Sequence, residues 1–291
     1  MASAKDLRKR IGTVKNTQQI TKAMKMVSAA KLRRAQDNIL SLRPYAKELQ
    51  RMILGLTQSI GDVDHPLLSE REDIKSCLIL LVSSDRGLCG GFNANIIKSA
   101  QRYQRTNGHK YKRMDFAYIG KKANDILKDK KSGKFWPGFF VKLDFKKSQG
   151  LAEELIDLYK AGEYDEIKIV YNEFKSVISQ KVNVEQFLPV KEGLSDESNK
   201  EASESKVTIY EPGPKEILDQ LLPKHFAIQI HRVLLESLAS EYAARMTAME
   251  NATKNAGEMI KKLSLIYNKT RQAGITKELL EIVSGAESLK G

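Results

Sequence analysis

The chain has 291 residues, 41% hydrophobic and 29% charged, a globular composition with room for two average domains. No apolar run reaches about 18 residues and no apolar stretch follows the basic start MASAKDLRKRIG, which excludes a transmembrane helix and a secretory signal. Two cysteines, Cys77 and Cys89, exclude a disulfide scaffold and a four-cysteine zinc site, and His65, His109, His225 and His231 lack metal-ligand spacing.

Residues 3 to about 59 read as one helix. Leu42, Ala46, Leu49, Ile53 and Leu56 alternate at spacings of four and three, the stripe of a coiled coil, and Leu7, Ile11 and Val14 do the same. Between them the stripe thins to Gln18, Thr21, Met24 and Ser28, a seam that packs closely but buries little. Unbroken, such a helix spans roughly 85 Å, and Pro44 is expected to kink or split it. Residues 60–72 read as a loop.

CLILLVSSD (77–85) is a continuous apolar run, the mark of a buried parallel strand. A helix over NANIIKSAQRYQR and a strand over RMDFAYIG (113–120) follow, then a helix near 121–129. FFVKLDF (139–145) reads as a third strand, LAEELIDLYKAG (151–162) as an amphipathic helix, EIKIVYNEF (166–174) as a fourth strand. VNVEQFLPV and KVTIYEP are further strand candidates, separated by the polar, Ser/Glu-rich segment 191–206, a mobile loop by composition. This alternation predicts a Rossmann-like α/β domain over 70–210.

A second long helix is expected after Pro212 and Pro214, to about residue 285, with Pro223 at its first turn or at a kink. Positions seven apart read Leu221, Ile228, Leu235, Tyr242, Met249, Ala256 and Leu263; a second series reads Leu238, Arg245, Ala252, Met259, Ile266, Ala273 and Leu280. Gly257 and Gly274 suit close backbone approach. Two readings follow: an antiparallel coiled coil of helices 1–60 and 211–291 flanking the α/β domain, or a bundle of shorter helices.

SDRGLCGGFN (84–93) is the most tempting chemical motif, since it follows a strand and opens a helix, where phosphates bind. Counted from Gly87, the dinucleotide fingerprint would place glycines where Cys89 and Phe92 stand, and no P-loop string exists. A tight strand-to-helix turn accounts for it. Cys89 reads as a structural thiol, His225 and His231 stand six apart and off one helical face, and Asp85 and Arg86 read as a local ion pair. No set of acid, base and nucleophile emerges, and no motif asks for a cofactor or a metal.

Charge is the remaining signal. The net charge is +13, and residues 1–51 hold 13 Lys/Arg against 3 Asp/Glu. Such an arm seeks nucleic acid, an anionic membrane or an acidic protein surface. Tyr45 is its one aromatic residue, which disfavours base stacking and membrane insertion and leaves an acidic protein as the best fit.

The stretches QQITKAMKMVSAAKL (18–32), SDRGLCGGFN, SEYAARMTAMENATKNA (240–256), YNKTRQAGIT (267–276) and ELLEIVSGA (278–286) resemble the gamma subunit of F-type rotary ATP synthases, in order and at matching spacing. The resemblance covers both termini and the start of the central domain; residues 110–210 carry little of it. The Ser-rich loop has no paired cysteines, unlike the redox switch of chloroplast members. No transit peptide precedes the start, which implies a bacterial protein, peripheral on the cytoplasmic face of the inner membrane. The resemblance implies a non-catalytic rotor shaft that couples proton flow through the membrane c-ring to ATP synthesis or hydrolysis in a ring of alpha and beta subunits, with epsilon as a further partner and no nucleic acid. Carried over by motif position, Met24, Arg245, Arg271, Gln272 and Thr276 are candidate coupling residues. Lys22, Lys31, Arg33 and Arg34 join them for charge and location.

Overall fold

A computed structural model describes residues 3–60, 65–68, 71, 73–127, 132–141, 143–189, 211 and 213–288. Helix α1 is Ala4–Ile60. Its start is fixed by a reciprocal cap: Ser3 Oγ accepts from Asp6 N at 3.2 Å, and the Asp6 carboxylate accepts from Ser3 N at 3.3 Å. The helix is not split at Pro44. That residue lies on an exposed side of α1, where water can satisfy the Leu40 carbonyl that a proline cannot bond.

Strand β1 is Ser76–Val82 and α2 is Phe92–Asn107, followed by one 3-10 turn, Gly108–Lys110. Then come β2 (Arg113–Ile119), α3 (Lys121–Leu127), β3 (Ser132–Trp136), α4 (Phe145–Lys160), β4 (Glu166–Phe174) and β5 (Gln180–Leu188). Helix α5 is Pro214–Ser288, with Pro214 rather than Pro223 in its first turn. The sheet order is β3-β2-β1-β4-β5; β1 lies parallel to β2 and β4, and β5 is an antiparallel edge. The KVTIYEP candidate and the segment 191–206 lie outside the described residues.

The third strand differs from expectation. It is Ser132–Trp136, and FFVKLDF is not a strand. Gly138, at φ +63°, turns the chain back, with Val141 N donating to Gly138 O. Asp144 then caps α4 by accepting from Lys147 N at 2.9 Å. Phe139, Phe140 and Leu143 still pack against the core, but from a turn, so the apolar run reported burial and not strand geometry.

The chain divides into two compact units, one of Met1–Ser28 with Arg245–Gly291 and one of Ala29–Ala244. In the larger unit, alternate strand residues feed opposite sheet faces. Leu78, Leu80 and Val82 pack with α4, with Leu49, Ile53 and Leu56 of α1, and with Leu222 to Leu234 of α5; Cys77, Ile79 and Leu81 pack with α2 and α3. A third cluster joins Leu32, Ala35 and Ile39 to Leu235, Ala239 and Ala243.

The smaller unit is an antiparallel helix pair. Thr21 Oγ1 lies 2.7 Å from Thr253 Oγ1, Gln18 Nε2 donates to Thr253 O at 3.3 Å, and Lys25 Nζ meets Glu250 at 2.6 Å. The seam runs through Leu7, Ile11, Val14, Gln18, Thr21 and Ser28, opposite Met249, Thr253, Ala256, Ile260 and Leu263. From Met259 onward the second series of sevens, Met259, Ile266, Ala273 and Leu280, is exposed. Gly257 does meet a partner, Gln18, which would stand 3.0 Å from an added Cβ, whereas Gly274 faces open space.

Candidate functional site

The carboxyl ends of β1 and β4 are where an open α/β sheet of this order binds nucleotides, because the chain leaves the sheet there in opposite directions. In this protein α5 occupies that crevice. Ser237 Oγ donates to Val82 O at 3.5 Å and Ser240 Oγ to Asn172 O at 3.0 Å, and both serines are buried.

The adjoining loop 83–91 is filled by its own hydrogen bonds. Ser84 N donates to Asn93 Oδ1 at 3.0 Å, Ser84 Oγ to Arg86 O at 2.6 Å, and Asn93 Nδ2 to Cys89 Sγ at 3.3 Å. Asp85 accepts from the backbone N of Lys121 at 3.1 Å rather than from Arg86. Gly120 must be glycine, since an added Cβ would lie 2.1 Å from Ser83 O. Leu88 is held at φ +64° and is 65% exposed, and Cys89 beneath it is buried. These bonds hold the motif as a strand-to-helix turn.

The titratable groups are structural in the same way. Burial, reinforced by Glu166, pushes the Cys77 thiol up to about 12, so it is no nucleophile at neutral pH. Burial lowers His225 to about 4 and also lowers His231, whose Nδ1 lies 2.8 Å from Ser148 Oγ. Burial alone would lift the Asp165 carboxyl. Hydrogen bonds from Arg71, Ser76 and the backbone of Lys75 and Ser76 outweigh it and hold Asp165 at about 2. Among the described residues, no group of three or more His, Cys, Asp or Glu side chains could hold a metal.

A second network fastens α5 to the sheet, built from residues that no sequence motif singles out. Arg232 Nη2 donates to Glu185 at 2.6 Å, while Nη1 reaches Tyr171 Oη and Glu236, each at 3.3 Å. Tyr171 Oη in turn donates to Glu185 at 2.7 Å. Burial raises the Glu236 carboxyl and opposes the charge on Arg232, whose ion pairs more than restore it.

The sequence-derived candidates do not converge on one point. Lys22 and Met24 lie in the smaller unit, exposed and half-buried respectively, and Lys31, Arg33 and Arg34 are exposed in the larger unit. Lys31 Nζ sits 5.5 Å above the Tyr242 ring. Arg245 is buried. Arg271, Gln272 and Thr276 are exposed on the last turns of α5, where Thr276 Oγ1 donates to Gln272 O at 3.0 Å. From Arg271 to Glu287 every residue is exposed, including Ile275, Leu279, Leu280, Ile282 and Val283.

A family model described as ATP synthase matches residues 3–289. An ATP synthase gamma chain from Geotalea uraniireducens is 50% identical over the whole of both chains, and one from Bdellovibrio bacteriovorus is 47% identical, again over the whole of both. The chain belongs to the ATP synthase gamma-chain family. Solved structures carry the same fold as this gamma-chain sequence. A chain of the Tetrahymena thermophila mitochondrial ATP synthase central stalk and c-ring matches with TM-score 0.60 and 26% identity, over 80% of this chain and 99% of that one. A chain from the Euglena gracilis mitochondrial ATP synthase matches with TM-score 0.67 and 22% identity, over 98% and 94%.

Proposed function

We propose that this gamma-chain family member is the central rotor shaft of an F-type ATP synthase and has no catalytic site of its own. Residues 1–60 and 211–291 serve as shaft helices and 70–210 as the α/β domain. The shaft carries proton-driven rotation of a c-ring to a ring of alpha and beta subunits, where ATP is made or hydrolysed. The observation that carries this reading is the end of α5. Seventeen exposed residues with five large apolar side chains among them suit a surrounding protein sleeve, which the alpha and beta subunits supply.

The rest of the molecule is consistent with a shaft. The Arg232 network, with Ser237 and Ser240, binds α5 to the sheet, so torque applied to the sheet passes into the helix. The α/β domain offers surface to epsilon and the c-ring. No described helix is long and apolar enough to cross a membrane, and contact with the cytoplasmic face of a bacterial inner membrane runs through the complex.

Arg271 and Gln272, free of the seam, grip a polar loop of beta at one angle and release it at the next. An arginine fork holds carboxylates and carbonyls, and such a contact is strong when made and weak when solvated. Thr276 lies one turn beyond on the same exposed stretch. Lys22, Lys31, Arg33 and Arg34 present positive charge to acidic levers on beta. Met24 and the buried Arg245 act through the seam.

Co-purification from the source membrane tests the assembly: alpha, beta, epsilon and c subunits accompany the chain. Steady ATP hydrolysis by the chain alone, lost on changing Asp85 or Gly90, would overturn the reading. In a reconstituted complex, Arg271→Ala with Gln272→Ala leaves assembly intact and lowers ATP-driven pumping. Unchanged synthesis and hydrolysis would remove both residues from the coupling set.

A further inference from the structure

Residues 52–210 hold 25 Lys/Arg against 23 Asp/Glu, and that near-balance hides a local excess. Between Asp85 and Asp115 there are seven Lys/Arg residues, His109, and no Asp or Glu. This stretch forms α2, the 3-10 turn and the start of β2. Helix α2 turns Phe92, Ile96, Ile97 and Ala100 toward the sheet, on the face that α1, α4 and α5 leave to it. Its outer side carries Lys98, Arg102 and Arg105 at spacings of four and three, continued by His109, Lys110 and Lys112, all exposed.

Among the described residues no side-chain hydrogen bond or ion pair engages Lys98, Arg102, Arg105, Lys110 or Lys112. Like charges three and four apart weaken a helix, so the stripe does not exist to stabilise α2. From Lys98 to His109 it runs about 16 Å, the length of three turns of a partner helix.

We propose that this stripe is a second docking surface, separate from the basic N-terminal helix, for a carboxylate-rich protein segment elsewhere in the assembly. The proposal rests on the rotor reading in taking its partner from within that assembly. Two fixed guanidinium forks flanked by lysines match carboxylates spaced along a helix or strand. No large hydrophobic residue is exposed between Leu88 and Ile126, so the face lacks the apolar anchor a membrane-bound helix uses. Nor does it expose an aromatic ring for stacking bases, since Tyr103 is half-buried beneath Lys168, whose Nζ stands 5.6 Å from the ring centre.

The test is zero-length carbodiimide coupling of amines to carboxylates in the purified complex, read by peptide mass spectrometry. The Lys25–Glu250 pair, at 2.6 Å, is the internal positive control. Expected are links from Lys98, Lys110 or Lys112 to Asp or Glu of another subunit. Their yield falls about five-fold with Arg102→Gln and Arg105→Gln together, and falls likewise in high salt. Control links without these intersubunit links overturn the proposal, as do links indifferent to the double change. It is equally overturned if the double change instead abolishes sedimentation of the complex with phosphatidylglycerol vesicles and no carboxylate links form. A chain that co-purifies with no other subunit defeats the rotor reading itself, and this proposal with it.

Discussion

The two units of this chain are built on opposite terms. The Ala29–Ala244 unit buries whole apolar clusters on both faces of its sheet, with Phe116, Tyr118, Tyr171 and Phe226 at most 1% exposed. In the other unit the buried residues, among those described, are Leu7, Thr21, Ser28, Arg245, Met249 and Ala256, half of them polar. Area removed from water is what stabilises most folds, at about 25 cal/mol per Å² of apolar surface. The first unit has that in quantity. The second sets its register with hydrogen bonds and leaves much of its apolar surface facing out. A region can be long, regular and helical while drawing its firmness from what surrounds it.

The largest test of that contrast is Phe226→Ala. It removes a fully buried ring that packs edge-on against Phe187, and it should cost about 3–5 kcal/mol in denaturant unfolding of the isolated chain. If Met249→Ala in the helix pair cost as much, the contrast would fail. Next is Asp165→Asn, which removes the charge that holds Arg71 and the start of β1; a loss of about 1.5–3 kcal/mol is expected. The group also fixes a pH dependence. Its carboxyl ionises at about 2 when folded against an ordinary 3.8. Its contribution is therefore complete above about pH 4 and is lost as pH falls toward 2, and the Asn variant should lack that slope.

Smaller effects belong to the helix pair. Thr253→Val deletes the hydroxyl that meets Thr21 at 2.7 Å and should cost about 1 kcal/mol, seen as faster hydrogen exchange in residues 11–28 rather than in the sheet. Smallest is Glu250→Gln. Lys25 and Glu250 are 37% and 55% exposed, so the change should stay below about 0.5 kcal/mol and vanish in high salt.

Legibility in the sequence followed the same division. β1 is readable as a continuous apolar run, β2 and β4 as short apolar stretches alternating with helices, and α1 from the stripes of apolar residues at its two ends. β3 is illegible because SGKFW is short and half polar, while the neighbouring FFVKLDF is the more apolar stretch. The exposure of the second series of sevens from Met259 onward is also hidden, because a period does not show which side of the helix meets the partner; Ile260 and Leu263 beside it stay half-buried. Motif position supplied Arg271 and Gln272. No motif flags Arg232: Glu236 stands one turn along the same helix, but Tyr171 and Glu185 lie on β4 and β5 and join it only in the fold. The cationic side of α2 is masked by the acidic residues on either side of it, which bring residues 52–210 to 25 Lys/Arg against 23 Asp/Glu.

The helix pair has a further consequence, for synthesis. Its two halves are the first 28 residues and the last 47, so the opening stretch of the chain leaves the ribosome more than two hundred residues before its partner does. At ~5–20 residues per second that is a wait of roughly ten to forty seconds. The sheet and its helices can close during that interval, whereas Leu7, Ile11 and Val14 stay uncovered until the segment after residue 245 emerges. A nascent chain stalled with residue 244 just clear of the ribosome exit tunnel should therefore hold a folded α/β unit with a protease-sensitive N-terminal arm.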